Sequence, residues 1–328
     1  MIRRHLTLAV SLLAFIASPA IAAAQSVADL LQSVVKIRVF VPPDARTAAS
    51  LGVERNGSGI VIDQGGLVLT IGYLMVEADG AEVTLATGRT IPAQIIGYDH
   101  ESGFGLLRTL EPPRVRPAQL GRSASVKERD SVLIAAFGGT EAAQPAFVIS
   151  RRSFAGSWEY LLEDAIFTTP PHPAWSGAGV FNAEGKLVGI GSLILGDASG
   201  GRAGIPGNMF VPIDRLPPIL ADLITDGAPS GPRRPWLGIT TEENRGRLFV
   251  GRVTPEGPAA RAGVQPGDMI MEVGGQVPKD LADFYRKIWA TGDAGVDVQV
   301  TLLRGSALRH VTVQSIDRHA HLKLKRTY

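Results

Sequence analysis

The chain has 328 residues, room for about two domains, and its 45% hydrophobic content is ample for packed cores. Formal net charge is only +2, and the excess lies at Arg3 and Arg4, so the rest of the chain offers no basic footprint for nucleic acid. The absence of cysteine excludes disulfides, thiolate metal sites and a lipid-modified N-terminal cysteine.

The N-terminus reads as a targeting segment. Arg3 and Arg4 precede the apolar stretch LTLAVSLLAFIA, and AIAAAQ places Ala22 and Ala24 for cleavage before Gln25. Residues 1–24 are expected to be a removed signal peptide, leaving no stable membrane span. An uncleaved anchor is the alternative, but Pro19 breaks the run short of the ~20 residues a span needs.

From about residue 33 to 212, short apolar runs such as SVVKIRVFV, GLVLTIG, DSVLIAAF and KLVGIGSLIL alternate with the turn formers DQGG, TGR and NAEG. Eleven or twelve such strands and no long helix predict an all-β sandwich or barrel, with two barrels possible. Leu216, Ile219, Leu220 and Leu223 then repeat at helical spacing, and Gly227 ends that helix. These residues are expected to form one domain, 25–226.

Residues 227–235, containing APSGPRRP, read as an exposed linker. A second unit, 236–317, follows with the strands WLGIT, RLFVGRV, DMIMEVGG, VDVQVTLLRG and RHVTVQSI. Between them KDLADFYRKIWA is an amphipathic helix that Asp280 can cap, and PEGPAARAGVQPGD holds a short turn ended by Gly263. The last stretch, 318–328, alternates basic residues with leucine and is expected to be a frayed basic tail.

Taken in order, GSGIVIDQGGLVLTIGY, EVTLATGRTIPAQIIGYDHESGFGLLR, PAWSGAGVFNAEGKLVGIGSLI and NMFVPIDRL resemble the landmarks of the HtrA/Deg family. WLGI, GPAARAGVQPGDMIMEVGGQ and DFYRKI resemble those of its PDZ domain. The resemblance covers nearly the whole chain after the signal. It implies a mainly β fold, a trypsin-like double β-barrel followed by a PDZ domain. It further implies a periplasmic location and trimers formed through the protease-like domain.

The catalytic residues carry over only in part. Where the family has its histidine this chain has Tyr73, and where it has its aspartate this chain has Gly103, although the leading Asp99 is kept. Ser176 stands at the nucleophile position, but AWSGA places Ala174 and Trp175 before it and Ala178 two residues after it, where the family has GNSGG. A serine hydroxyl is a weak nucleophile until a base takes its proton. A phenol with a pKa near ~10 is a poor base at neutral pH, and glycine can orient nothing. Ala174 further alters the loop that turns an amide toward the oxyanion.

Replacement bases are few. His100 precedes Gly103 by three residues, His172 precedes Ser176 by four, and Lys186 sits at the turn of the following hairpin; each reads first as a loop residue. The histidines are scattered and no acidic cluster has ligand spacing, so no metal and no cofactor is expected.

In a PDZ domain an extended peptide adds a strand and its C-terminal carboxylate is captured by backbone amides. Trp236, Leu237, Gly238 and Ile239 fit that loop, while Phe284, Tyr285 and Ile288 either shape the apolar pocket or belong to the core. The sequence thus predicts a binding protein for unfolded polypeptides or free C-termini, acting alone, as a homotrimer or as an inactive partner of active relatives. The alternative is a serine endopeptidase in which Ser176 uses an unconventional base.

Overall fold

In a computed structural model, residues 27–201 and 204–323 are described; the expected signal peptide lies outside them. Twelve strands between residues 34 and 212 close into two antiparallel barrels. The first contains β1 (Val34–Phe40), β2 (Glu54–Val61), β3 (Leu67–Ile71), β4 (Gly80–Thr84), β5 (Thr90–Tyr98) and β6 (Phe104–Thr109), in the order β1-β2-β3-β6-β5-β4. The second contains β7 (Ser131–Ala135), β8 (Ala143–Gly156), β9 (Tyr160–Thr169), β10 (Gly179–Phe181), β11 (Leu187–Leu195) and β12 (Gly207–Pro212), in the order β10-β11-β12-β9-β8-β7. Closure pairs every strand on both sides and so removes the exposed edges an open sheet would carry.

Each barrel is filled from alternate positions of its own strands. Val35, Ile37, Val39, Val68 and Leu107 fill the first, and Ile134, Ile166, Val180 and Phe210 the second. A third cluster draws on both, joining Ile60, Leu69, Ile71 and Phe104 to Phe167, Phe181 and Met209. That seam brings the end of β3 and the loop before β10 to the same place.

Short helices α1 (Val27–Gln32) and α2 (Ala48–Leu51) flank β1, and α3 (Pro217–Asp226) closes the double barrel as its periodicity predicts. Gly227 caps α3 in the left-handed conformation, donating its N–H to Leu223 O.

The C-terminal unit is a five-stranded antiparallel sheet, β13 (Ile239–Asn244), β14 (Arg247–Val253), β15 (Met269–Val273), β16 (Asp297–Arg304) and β17 (Ala307–Gln314), in sequence order. It carries α4 (Pro258–Arg261) and α5 (Leu281–Trp289). Asp280 caps α5 by accepting from Asp283 N at 2.7 Å, and Leu281, Phe284, Tyr285 and Ile288 are buried on one face.

The expected frayed tail is corrected over residues 318–323. Residues Arg318–His321 form α6, Leu322 packs against the first-barrel core, and the His319 and His321 rings lie 4.9 Å from Tyr98 and Trp236. Alternating charge suggested solvent, but here each side chain meets a particular partner. The main anchor is Glu77, buried at φ +60°, which accepts from Arg46 N at 3.2 Å and from Thr47 N, Thr47 Oγ1 and Lys323 N at 2.7 Å. Burial works against its charge, yet these donors hold the carboxyl below its usual range.

Replacing Glu77 by alanine orphans these donors together. We expect Glu77→Ala to lower unfolding free energy by about 2 kcal/mol in urea titration and to speed amide exchange across 318–323. An unchanged exchange rate there would show that the tail is held by something else.

Candidate functional site

Ser176 sits in the loop between β9 and β10, half-buried at the seam of the two barrels. Its carbonyl accepts from Ser58 N at 2.8 Å, and the next residue, Gly177, donates to Gly191 O at 2.9 Å. Gly177 adopts φ +73°, and a Cβ there would lie 2.0 Å from Ser58 O. Only glycine fits.

Tyr73 lies in the short 3₁₀ turn Gly72–Leu74 after β3. Its hydroxyl is 2.9 Å from Ser176 Oγ and 3.2 Å from Ser192 O. The carbonyl can only accept, and the phenol has one proton to give. Tyr73 therefore donates either to Ser192 O or to Ser176 Oγ; in neither case does it draw the serine's proton away. Burial pushes the phenol pKa up, against the lowering influence of hydrogen bonds with Ser176 and Trp175, so less of it is ionised at neutral pH than of a free tyrosine.

Gly103 stands at the end of the turn before β6 with φ +87°. Its N–H donates to Asp99 O at 2.9 Å and its carbonyl accepts from Gly72 N at 2.7 Å. A Cβ at this position would fall 3.1 Å from the hydroxyl oxygen of Tyr160. The retained Asp99 does not substitute, because its carboxylate accepts from Glu101 N at 3.2 Å and Ser102 N at 2.7 Å and so caps its own turn.

Ala174, two residues before the serine, has its N–H committed to a side chain. It donates to Nδ1 of His172 at 3.1 Å, and His172 is itself pinned by Asn208 through bonds of 2.6 Å and 3.1 Å. Burial lowers the His172 pKa, consistent with a ring nitrogen that accepts. Among the described residues no histidine or lysine hydrogen-bonds to Ser176 Oγ: His100 lies at the domain junction, and Lys186 stays in the β10–β11 turn.

The second set of expected residues converges on an acceptor the sequence did not reveal. Leu237 N donates to Glu159 Oε2 at 2.9 Å, while Gly238 N and Ile239 N donate to Oε1 at 2.7 Å and 2.9 Å. Glu159 belongs to the tip of the β8–β9 hairpin, adopts φ +57° and is 4% exposed. Thr241 N donates to Ser157 O at 2.8 Å, and Tyr285 Oη donates to Gly156 O at 2.7 Å while accepting from Glu159 N at 3.2 Å. Burial raises the Glu159 pKa, opposed by the three amides and by the nearby Arg318 guanidinium.

The other expected groove residues are placed differently. Trp236 exchanges backbone bonds with Ile316 and faces His321. Phe284 and Ile288 are wholly buried in the core of the C-terminal unit, which Leu161 of the hairpin joins. Of the three α5 residues, Tyr285 reaches the hairpin through its hydroxyl.

Comparison with known proteins follows this division. Residues 57–190 match the trypsin-like peptidase domain and residues 235–314 the PDZ domain. A probable periplasmic serine endoprotease DegP-like of Halomonas elongata is 28% identical over 78% of this chain and 55% of its own length. The putative serine protease HhoA of Synechocystis is 29% identical over 84% of this chain and 73% of its own. The chain spans about half the length of several curated relatives it matches, 55% and 49% in two cases. Among solved structures, the HtrA-type protease AlgW with tripeptide superposes with a TM-score of 0.52 at 22% identity, covering 92% of this chain and 98% of that one, a likeness of fold.

The junction beside the hairpin carries a pH prediction. His100 Nε2 accepts from Arg318 Nη1 at 2.5 Å, and burial, with the charges of Arg318 and His319, holds its pKa well below the usual value. A histidine kept neutral when folded contributes stability above its unfolded pKa, about 6.5, that is lost as pH falls toward the folded value. Glu159, with its raised carboxyl, pulls the other way. The melting temperature of His100→Asn should therefore fall less than that of the native chain between about pH 7.5 and about pH 5.5. Equal slopes would remove His100 from the account.

Proposed function

Since the chain has the trypsin-like and PDZ domains of the HtrA/DegP family in that order, we propose that it is an exported family member that does not cleave peptide bonds and instead binds polypeptides through its PDZ domain. The observation that carries this reading is the hydrogen bond between Tyr73 and Ser176, a weak acid where general-base catalysis needs an imidazole. Loss of individual triad members costs ~10⁴ to 10⁶-fold. An oxyanion amide turned inward costs a further ~10² to 10³-fold, so no useful turnover is left.

The proposed ligands are free C-termini and unfolded segments, as the PDZ match supports and as the peptide-bound AlgW structures illustrate for that protein. The names of the relatives support a periplasmic setting, in quality control or as partner of active relatives. A homotrimer or a mixed oligomer is the expected assembly; sedimentation that gives only a monomer, with and without an active relative, would remove that part.

The decisive experiment is casein degradation by the mature protein beside Ser176→Ala, together with fluorophosphonate labelling. We expect neither turnover nor labelling in either protein. Labelling of Ser176 that is lost in Ser176→Ala, with matching turnover, would establish an unconventional base. Restoring the two missing groups, Tyr73→His with Gly103→Asp, is expected to leave the protein inactive. Position 103 sits at φ +87° against Tyr160, and the Ala174 amide stays committed to His172.

A further inference from the structure

We infer that the tip of the β8–β9 hairpin is a built-in ligand of the PDZ groove, its Glu159 carboxylate seated where the C-terminal carboxylate of a bound polypeptide would go, so that an incoming C-terminus has to displace it. This rests on the reading of that groove as a peptide site.

The register carries the argument. A PDZ ligand gives its terminal carboxylate to the loop amides and pairs alternate backbone groups with the neighbouring strand. Here the Leu237, Gly238 and Ile239 amides take the Glu159 carboxylate, and Ser157, two residues earlier, gives its carbonyl to Thr241 of β13, two residues beyond Ile239. Across the groove, Tyr285 of α5 bonds to both Gly156 and Glu159. Hairpin residues 156–159 thus engage the loop, the strand and the helix together, as a docked peptide would. The difference is that a side chain supplies the carboxylate, and the backbone at φ +57° turns aside to run into β9.

The residues around the tip fasten it without sealing it. Arg318 Nη1 donates to Trp158 O at 3.0 Å, Trp158 stacks on Tyr160 at 5.8 Å, and Arg286 of α5 pairs with Glu163 of β9 at 2.6 Å. Charge-assisted bonds from three amides hold the carboxylate in its seat. Withdrawing the carboxylate from water opposes those bonds, and the exposed Arg286–Glu163 pair adds little. Because burial opposes the bonds that hold the carboxylate, the hairpin acts as a competitor and not as a permanent plug. A free C-terminal carboxylate fits the same nest; an amidated C-terminus lacks the charge.

The test uses the full mature chain, Glu159→Gln and Glu159→Ala. The probes are a pool of fluorescent peptides with randomised free C-termini and the same pool amidated. Amide exchange at Leu237, Gly238, Ile239 and Thr241 is read alongside, and thermal melting checks that both variants fold. With the open groove a minor population, affinity for the free-carboxylate pool should rise about 10- to 100-fold in both variants. The four amides should be protected in the native chain and exchange faster in the variants. Equal affinity in native and variant proteins, or equally fast exchange in both, overturns the inference while leaving peptide binding intact. Exchange that quickens in folded variants which still bind neither pool supports the internal ligand and removes the peptide-binding reading instead.

Discussion

A carboxylate held by three converging backbone amides fixes how the two parts of this chain meet. Amides that converge on one point, as those of Leu237, Gly238 and Ile239 do, must find an acceptor or water, since a buried unpaired N–H costs about as much as a lost hydrogen bond. Glu159 supplies that acceptor from a different domain, 78 to 80 residues away in sequence. Its backbone takes an unfavourable left-handed conformation to do so, which a non-glycine residue tolerates only where surrounding contacts over-determine it. Those contacts are Ser157 on β13, Tyr285 on α5, and Leu161 buried in the C-terminal core. The strand pairing, the carboxylate and the apolar seat are therefore one docking event.

The serine loop survives for reasons that packing alone supplies. The Ser176 carbonyl holds Ser58, Gly177 is forced by its closeness to Ser58 O, and the wall opposite is Gly57, whose Cβ would lie 2.9 Å from Ser176 O. None of these constraints depends on a reactive hydroxyl. The loop thus keeps its glycines and its serine on packing grounds alone, while its amide at Ala174 donates to His172 and its hydroxyl pairs with a phenol.

What the sequence made legible was local. Strand periodicity and glycine turns marked the strands but left sandwich or barrel open, Leu216 to Leu223 with Gly227 marked α3, and Asp280 marked the start of α5, because each pattern is read within a few residues. The Tyr73 and Gly103 substitutions were visible as departures from motifs. The groove loop was visible too, but its occupant was not: a glutamate at a hairpin tip reads like any solvated charge, and nothing local says which distant amides it will meet. The tail failed for the same reason. Its alternation of charge and leucine suggests solvent until Glu77 and the first-barrel core are seen waiting for Lys323 and Leu322.

The serine cleft and the PDZ loop are joined by one residue. Tyr160 directly follows Glu159, stacks on Trp158 at the hairpin tip and donates its hydroxyl to Ser102 O at 3.0 Å. That hydroxyl lies 3.1 Å from where a side chain at position 103 would begin. A carboxylate there would have to share a buried space with the phenol that anchors the hairpin, and glycine leaves that space to the phenol. A tyrosine at 160 and a glycine at 103 are thus mutually consistent, and the same ring steadies the tip that carries Glu159 to the PDZ loop. Gly103 and the proposed internal ligand are in this sense two ends of one packing arrangement: the space left by glycine at 103 is the space that seats the phenol steadying the hairpin tip.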